Sequence, residues 1–290
     1  MAISLRELTP ALGAEVSGVD IAAGIDRDTF QEIRDAFEEY SVLVFPGQDI
    51  DDAQQVAFSR RFGALEETYK HAGNQNRGGL VVHITNVDKD GSLIPPDDDR
   101  IRFRLGNRLW HSDSSFKRVP ATASLLSGRE VPPEGGQTEF ASLRAAYAAL
   151  PKARRDALED LVAIHHYANS RRNVDIQVAK PDEDRRLPPV PQAVVRSNPV
   201  NGRKGLYLGA HASHIVGMPE DEGRALLEEL LAFATQRKFV YSHAWRPKDL
   251  VMYDNRCVLH RVCPYEVTKH HRVMHRTTVA GVGPTAPMGA

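Results

Sequence analysis

The chain of 290 residues is poor in the features that mark several protein classes. It has two cysteines, Cys257 and Cys263, which are too far apart to form a Cys-x-x-Cys pair. A disulfide framework is therefore excluded, and a reducing, cytoplasmic compartment is the simplest expectation. No apolar run approaches the roughly 20 residues that a membrane-spanning helix needs. The first residues lack a basic stretch followed by an apolar run, so we expect no secretory signal.

The chain also lacks an excess of either charge. Its 37 basic and 38 acidic residues give a net charge of -1. No overall field would draw the protein to nucleic acid or to a membrane surface, so we expect neither as a partner. Any recognition through charge must then come from a few local groups.

What is present is an ordinary globular composition, with 41% apolar residues and enough length for a substantial core. Short strand-like segments such as Leu250–Tyr253 and Val273–Val279 are separated by long connections and Gly/Pro turns. The second half has no regular strand–helix alternation, and no linker or internal repeat divides the chain. The pattern predicts one domain over residues 1–290, an α+β fold with a double-stranded β-helix (jelly roll) core decorated with helices.

Helical patterns lie near both ends of the chain, and residues 141–163 are expected to form one or two further helices. A helix is predicted to begin near Asp28, a second to be capped by Asp51 or Asp52, and the clearest to cover Pro219–Gln236 with a leucine stripe facing the core. Residues 65–108 are polar, rich in turn residues and without periodicity. We expect them to form a long mobile loop, a candidate lid over a site.

The segment LWHSDSSF places His111 two residues before Asp113. In a strand these two side chains would share a face and could hold one metal ion. With 12 histidines in the chain, chance alone supplies about one such pair. The motif therefore needs a third ligand before it indicates a metal site.

His260, at the end of the strand-like run DLVMYDNRCVLH, can be that ligand. Two imidazoles and one carboxylate form the facial triad of non-haem Fe(II) oxygenases, which leaves positions open for a co-substrate and O₂. Zinc hydrolases can use the same ligand types, so the triad does not decide between them.

Two arginines follow in HHRVMHRTT. If this segment is a strand, Arg272 and Arg276 project to one face, with the same parity as His260. Buried arginines are costly unless paired with anions, and no acid nearby in the sequence is an obvious partner. We therefore predict that they bind two carboxylates, because arginine binds carboxylates in a bidentate manner. The alternative is a basic strand that faces solvent.

These pieces together resemble the taurine/2,4-D dioxygenase family of Fe(II)- and 2-oxoglutarate-dependent oxygenases, closest to its 2,4-dichlorophenoxyacetate branch. The order His-x-Asp, His, Arg with these spacings is highly specific. One departure is Tyr253, where the family usually has Trp. The matching stretches, spread over nearly the whole chain, are LGAEVSGVDI, SVLVFPGQ, FSRRFGALE, WHSDSSF, PPEGGQTEF, YDNRCVLHR and RVMHRTT.

The resemblance implies a role for individual residues. His111, Asp113 and His260 would bind Fe(II). Thr138, in GGQTEF, and Arg272 would hold the distal carboxylate of 2-oxoglutarate.

The substrate side of the site follows from the same resemblance. Arg276 would face the anionic group of the substrate, Asn107 matches an active-site Asn of the taurine branch, and His71, with Lys70 as competitor, would contact the substrate.

The implied activity is O₂-dependent hydroxylation of a small anionic substrate, an aryloxyalkanoate such as 2,4-dichlorophenoxyacetate, whose ether is cleaved to a phenol and glyoxylate. A sulfonate, a sulfate ester or another carboxylate is the alternative substrate. A zinc hydrolase or a non-catalytic metal- or ligand-binding protein on the same fold is the alternative outside this chemistry. A homo-oligomer, dimer or tetramer, is also expected.

Overall fold

The computed structural model describes residues 3–67, 79–172 and 187–286. It has an α+β architecture in which helices lie against mixed sheets. The strands, numbered along the chain, are β1 (Ser4–Glu7), β2 (Ala14–Ser17), β3 (Val42–Phe45), β4 (Val82–Thr85), β5 (Ala123–Glu130), β6 (Thr138–Ser142), β7 (Val162–His165), β8 (Val190–Ala193), β9 (Val195–Ser197), β10 (Lys204–Leu206), β11 (Ala212–Ile215), β12 (Val240–His243), β13 (Leu250–Asp254), β14 (Val258–Val262) and β15 (Val273–Val279).

Several helices begin directly after a capping side chain. Asp26 accepts from the Thr29 amide, and Asp51 forms a capping box with Gln54, which confirms one of the two predicted caps. The helices are α1 (Arg27–Tyr40), α2 (Asp52–Arg60), α3 (Asp99–Arg104), α4 (Leu143–Ala149), α5 (Lys152–Leu158), α6 (Tyr167–Arg172) and α7 (Glu220–Ala234), with 3₁₀ turns at Leu105–Arg108 and Arg237–Phe239.

The largest sheet has seven strands in the order β1-β2-β3-β13-β5-β15-β4. All its neighbours are antiparallel except the parallel pair β2 and β3. A second sheet has the order β12-β6-β14, and smaller sheets are formed by β11-β7-β8 and β10-β9. Strands from both ends of the described chain thus belong to one sheet.

The central strands of the seven-stranded sheet are buried on both faces. One face packs on the β12-β6-β14 sheet, where the Phe140 and Tyr253 rings lie 5.3 Å apart. The other face packs on α1 and α2 through side chains such as Leu43, Leu125 and Met252. Strands buried on two faces read as continuous apolar runs, which explains the run Val42–Phe45.

A third apolar cluster packs around α4 and α7. The leucine stripe of α7 contributes Leu227 and Leu230, both buried, so its predicted core role is confirmed. The helical pattern at 141–163 is divided between α4 and α5, because Pro151 separates them. Within the described part of the chain, no helix is long and apolar enough to cross a membrane.

The prediction of one long loop at 65–108 is wrong for its described part. This part contains β4, α3 and the 3₁₀ turn at Leu105–Arg108. β4 completes the edge of the seven-stranded sheet by pairing with β15, and Asp98 caps α3. The four-residue strand and six-residue helix are too short to produce a periodic signal in the sequence.

Candidate active site

Two histidines lie opposite each other where an isolated bridge joins His111 to His260 in the middle of β14. The amide of His111 donates to the His260 carbonyl (3.1 Å), and the amide of His260 donates back to the His111 carbonyl (2.8 Å). The centroids of the two imidazole rings are 4.2 Å apart, and both side chains are buried. Backbone pairing therefore brings together two histidines that are far apart in the sequence.

The orientation of the His111 ring is determined by a backbone acceptor. Nδ1 of His111 lies 2.7 Å from the Leu109 carbonyl oxygen, which can only accept a hydrogen bond. Nδ1 must therefore carry the hydrogen, and Nε2 carries the lone pair that a metal would need. His260 has its Nε2 3.9 Å from Oδ2 of Asp113.

Asp113 is held in place by hydrogen bonds of both its backbone and its carboxylate. Its amide donates to Oδ1 of Asn255 (3.1 Å), and its Oδ2 accepts from the hydroxyls of Ser124 (2.7 Å) and Tyr253 (2.9 Å). The sequence suggested that His111 and Asp113 lie in one continuous strand, but the structure shows no such strand. An isolated bridge at His111 is followed by a turn in which Ser114 has a φ of 58°.

We call His111, Asp113 and His260 the inner cluster. Burial would raise the pKa of Asp113, but the positive charge of Arg276, the largest lowering effect, and the hydrogen bond from Ser124 act against it, and that pKa lies well below its usual range. Burial, reinforced by His111, lowers the pKa of His260. The cluster is therefore an ionised carboxylate beside a neutral imidazole, the protonation states that metal coordination requires.

Arg276 was expected to lack a carboxylate partner, and this expectation is wrong. Its Nη1 donates to Oδ1 of Asp113. Asp113 is distant in the sequence, so the pairing could not be seen from residues near the arginine. Nε of Arg276 is buried and has no partner among the described residues.

Arg272 differs, because no carboxylate of the described chain forms an ion pair with it. Its side chain is buried, and its Nε donates to the Gly136 carbonyl (3.3 Å) while Nη2 lies 3.5 Å from Oγ1 of Thr138. Burial lowers the pKa of Arg272 to about 10. A buried cation without a counter-ion of its own is a strong indication of an anionic ligand.

The GGQT turn allows this close approach. Gly136 has a φ of 67°, and a Cβ there would lie 2.8 Å from Cγ of Pro132 and 3.4 Å from Nε of Arg272. A side chain at this position would therefore be strained and would crowd the guanidinium. The glycine lets β6 begin with Thr138 directly beside Arg272.

The hydroxyl of Thr138 has only one direction left for its hydrogen. Nε1 of Trp245, which can only donate, lies 2.9 Å from Oγ1, and Arg272 donates to the same oxygen. Both lone pairs are thus engaged, and the Thr138 hydroxyl can act only as a donor. Thr138 and Arg272 together present donors and positive charge, but no acceptor.

A cavity connects these groups. Among the predicted residues it is lined by His111, His260, Thr138, Arg272, Arg276 and Asn107. Asp113 does not line it but contacts Arg276 at its wall. His71 and Lys70 lie outside the described residues. Much of the remaining wall is apolar, formed by Ile84, Ile101, Leu105, Leu126, Val262 and Val267.

Sequence reasoning missed three groups that shape the site. Tyr253 was noted as a possible change in the pocket wall, but its hydroxyl also contacts the Asp113 carboxylate. Trp245 supports Thr138, and nothing near it in the sequence indicated this role. Arg104 lines the cavity with a buried Nη1 that has no partner among the described residues, and burial lowers its pKa to about 10.

Two other histidines, His211 and His214, could contact the substrate or have a structural role. His211 is buried and hydrogen-bonds with Ser115 (3.0 Å), and neither His211 nor His214 lines the cavity. His275 was expected to face away from Arg276, and it contacts Asp52 of α2 on the opposite face of the sheet. Cys257 is a small buried residue, and burial raises its pKa to about 12.

The residues present fit both an iron ion and 2-oxoglutarate. Each member of the inner cluster offers one ligand atom, and these atoms lie within 4.8 Å of one another. Two imidazoles and one carboxylate suit Fe(II) and leave coordination positions open. In the same cavity, the buried cation of Arg272 and the donor hydroxyl of Thr138 suit a carboxylate.

Residues 4–278 match the family described as "Taurine catabolism dioxygenase TauD, TfdA family". The chain is 41% identical to an alpha-ketoglutarate-dependent 2,4-dichlorophenoxyacetate dioxygenase of Cupriavidus pinatubonensis, covering 96% of this chain and 98% of the relative. It is 38% identical to an (S)-phenoxypropionate/alpha-ketoglutarate-dioxygenase of Sphingobium herbicidovorans, covering 97% and 96%.

The fold is also similar to a solved crystal structure, that of AAD-2 in complex with Mn(II) and N-oxalylglycine. The TM-score is 0.91 at 42% sequence identity, with 99% of this chain and 100% of the other covered.

Proposed function

This chain belongs to the TauD, TfdA dioxygenase family, and from that premise we propose that it hydroxylates an aryloxyalkanoate such as 2,4-dichlorophenoxyacetate. The reaction class confirms the expectation from the sequence: the protein is an Fe(II)- and 2-oxoglutarate-dependent dioxygenase that uses O₂ and acts on a small molecule. The observation that carries the proposal is a cavity lined by both histidines of the inner cluster, by the buried cation Arg272 and by a partly apolar wall.

We propose His111, Asp113 and His260 as the iron ligands. Iron bound there would supply the redox chemistry that couples oxidative decarboxylation of 2-oxoglutarate by O₂ to insertion of oxygen into a substrate C–H bond. The protein orients the ligands beforehand. The Leu109 carbonyl sets the tautomer of His111, and Tyr253 fixes the rotation of the Asp113 carboxylate.

Thr138 and Arg272 would bind the distal carboxylate of 2-oxoglutarate. The Thr138 hydroxyl can only donate, and the guanidinium of Arg272 has no competing carboxylate in the described chain. An incoming carboxylate therefore gains charge-assisted hydrogen bonds without displacing an ion pair. Trp245 acts as a positioning residue, because its indole N–H directs the hydrogen of the Thr138 hydroxyl toward the ligand.

Arg276 would bind the anionic group of the substrate. Its Nη1 pairs with the Asp113 carboxylate, but its buried Nε has no partner among the described residues and is left to donate to an anion. Arg104 is a second candidate, since its buried Nη1 faces no acceptor among the described residues. Asn107 lines the same cavity, and His71 stays a prediction from the resemblance.

The apolar wall favours an aryl group over a small, fully polar anion. Burying an aromatic ring against Ile84, Leu126 and Val262 would stabilise binding while the arginines hold the carboxylate. These contacts would position the carbon between the ether oxygen and the carboxylate for hydroxylation. The product is a hemiacetal, and its collapse releases a phenol and glyoxylate.

Four further points belong to the proposal. We propose a jelly-roll core, supported by antiparallel pairing and by the packing of the seven-stranded sheet on β12-β6-β14. A single domain over residues 1–290 is supported by β1 and β15, which share one sheet. Cytoplasmic location is supported by the two free cysteines, Cys257 and Cys263. Homo-oligomerisation rests on the family resemblance.

Succinate release by the Fe(II)-loaded enzyme tests the substrate. The panel is phenoxyacetate, both enantiomers of 2-phenoxypropionate, cinnamate, taurine and an alkyl sulfate, each with 2-oxoglutarate and O₂. We expect the aryloxyalkanoates to stimulate succinate release several-fold above the uncoupled rate, with an equal amount of phenol from phenoxyacetate. Stimulation by the sulfur anions alone would overturn the substrate and retain the reaction class.

A further inference from the structure

A second group of metal-ligating side chains lies on the opposite face of the sheet from the cavity. His275 on β15 is paired directly with His83 on β4. Their rings are stacked, with centroids 4.1 Å apart and an interplanar angle of 10°. Asp52, the first residue of α2, lies against both: its carboxylate oxygens are 2.6 Å from Nδ1 of His275 and 3.3 Å from Nε2 of His83.

We propose that Asp52, His83 and His275, here called the outer cluster, bind a divalent transition-metal ion such as Zn²⁺. One ligand atom of each residue lies within 4.8 Å of the other two. Two neutral imidazoles and one carboxylate are a ligand set that zinc uses, with water completing the coordination. The ion would replace the hydrogens now shared between the carboxylate and the two rings, and each neutral imidazole would carry its hydrogen on the other ring nitrogen.

The backbone holds these ligands in place independently of an ion. Directly opposed residues on antiparallel strands have Cβ atoms about 5 Å apart, so two histidines in this register can reach one ion. The third ligand is fixed because Gln55 ties α2 to the sheet, donating from Nε2 to the carbonyls of His275 (3.0 Å) and Leu125 (3.1 Å). Such preorganisation lowers the entropic cost of binding.

An ion could reach the outer cluster without entering the cavity. The exposed fractions of the side chains are 41% for Asp52, 42% for His83 and 18% for His275, and none of the three lines the cavity. Nδ1 of His275 and Nε2 of His83 both face the Asp52 carboxylate, so each ring directs one nitrogen toward the position proposed for the ion. The two metal-ligating clusters are therefore separate sites.

Arg129 opposes the proposed ion and provides a sharp test of it. Its Nη2 lies 3.3 Å from Oδ1 of Asp52 and 3.2 Å from Oε1 of Gln55. The arginine competes for the carboxylate and adds a like charge next to the ion. If the outer cluster merely joins α2 to the sheet through ion pairs, Arg129→Gln has no metal-binding phenotype. If it is a metal site, Arg129→Gln tightens Zn²⁺ binding.

The experiment is Zn²⁺ titration of the full chain against a chromogenic chelator in a His111→Ala/His260→Ala background, which removes the inner site. We expect this background to retain one bound Zn²⁺ per chain. Adding His83→Ala should weaken that binding at least about tenfold, and Arg129→Gln should tighten it by about threefold or more. Zn²⁺ should also raise the Tm of the background protein, but not that of the His83→Ala variant.

His271→Ala is the matched control. His271 is similarly exposed and also contacts a carboxylate, with Nδ1 2.9 Å from Oε2 of Glu130, but no third ligand joins them among the described residues. This substitution should leave Zn²⁺ affinity unchanged. His83→Gln, which keeps a polar side chain on the exposed strand, guards against misfolding of the alanine variant.

Two results would overturn the proposal. One is that the His111→Ala/His260→Ala protein, shown to be folded by circular dichroism, binds no Zn²⁺. The other is that Zn²⁺ binds with an affinity that neither His83→Gln nor Arg129→Gln alters. Neither result bears on the dioxygenase reaction, which depends on the inner cluster.

Discussion

The inner and outer clusters contain the same ligand types, two histidines and one aspartate, on opposite sides of one sheet. They differ first in access to water. All three residues of the inner cluster are buried, whereas Asp52 and His83 in the outer cluster are about two-fifths exposed. A charge in the inner cluster is therefore screened less, and each neighbouring dipole has a larger effect there.

The clusters also differ in what surrounds the carboxylate. Asp113 accepts from two hydroxyls and from Arg276. Asp52 accepts from its two histidines and from Arg129. Only the inner cluster shares a cavity with a buried arginine lacking a carboxylate partner in the described chain. The ligand set alone therefore indicates a metal ion in both clusters. The buried Arg272 and the apolar cavity wall, which only the inner cluster has beside it, indicate the reaction.

The largest expected effect comes from removing the inner carboxylate. Asp113→Ala should abolish 2-oxoglutarate-dependent succinate release, because the anionic ligand is lost and Arg276 loses its counter-ion. Asp113→Asn, which keeps the shape, should be equally inactive. Turnover near the wild-type level in either variant, measured with saturating Fe(II), would contradict the assignment of the iron ligands.

The second effect concerns the site for the 2-oxoglutarate carboxylate. Arg272→Gln should raise the KM for 2-oxoglutarate by about 100-fold, because a buried carboxylate would lose its charged partner. Arg272→Lys keeps the charge but lacks the planar guanidinium, so its KM for 2-oxoglutarate should lie between those of the wild type and Arg272→Gln. Steady-state kinetics with varied 2-oxoglutarate provide the measurement, and an unchanged KM in Arg272→Gln would remove this residue from the co-substrate site.

A smaller effect is expected from the tyrosine that contacts the inner carboxylate. Tyr253→Phe removes the hydrogen bond to Oδ2 of Asp113 and should weaken Mn²⁺ binding by about tenfold. Tyr241→Phe is the control, since Tyr241 also carries a hydrogen-bonded hydroxyl but contacts His243 and does not line the cavity. Equal Mn²⁺ affinities in the two variants would mean that Tyr253 only fills space.

The smallest effect on the reaction is expected from His165, a buried histidine that belongs to neither cluster. Its substitution should change only the pH dependence of stability. His165 is fully buried with no partner for either ring nitrogen among the described residues, and burial lowers its pKa to about 3. Between that value and the unfolded pKa near 6.5, the unfolded chain binds a proton that the folded protein does not. Above about pH 6.5, His165 therefore does not reduce the free energy of unfolding. As the pH falls below that value, the free energy of unfolding decreases by up to about 1.4 kcal/mol per pH unit.

His165→Phe should remove that part of the pH dependence. Unfolding free energies from urea titrations at pH 7, 6 and 5 would measure it. Parallel pH profiles for the wild type and the variant would mean that another group causes the acid sensitivity.

Much of the candidate site could be predicted, because residue types and their spacing in the sequence indicate its chemistry. The spacing of His111 and Asp113, the later His260, and the opposite parity of His275 and Arg276 on one strand are all visible in the sequence. Strand periodicity correctly separated Arg276 from His275, and capping residues correctly marked where helices begin. Short elements such as β4 escaped prediction, because they carry too few residues for a periodic signal.

The contacts that tune the site could not be predicted, because they join residues distant in sequence. Nothing near Arg276 identifies Asp113 as its partner, and nothing near Thr138 identifies Trp245. The same is true of His83 and His275, whose pairing depends on the register of an edge strand.

By itself the sequence determined which side chains are available to bind metal and anions, and on which face of each strand they lie, since these properties depend on residue type and backbone period. Tertiary structure alone decided which carboxylate meets which arginine. It also decided that one histidine–aspartate cluster is buried beside Arg272 while the other is open to water. The physical reason is that strand register and sheet packing determine burial and charge pairing, and both arise from contacts between distant parts of the chain.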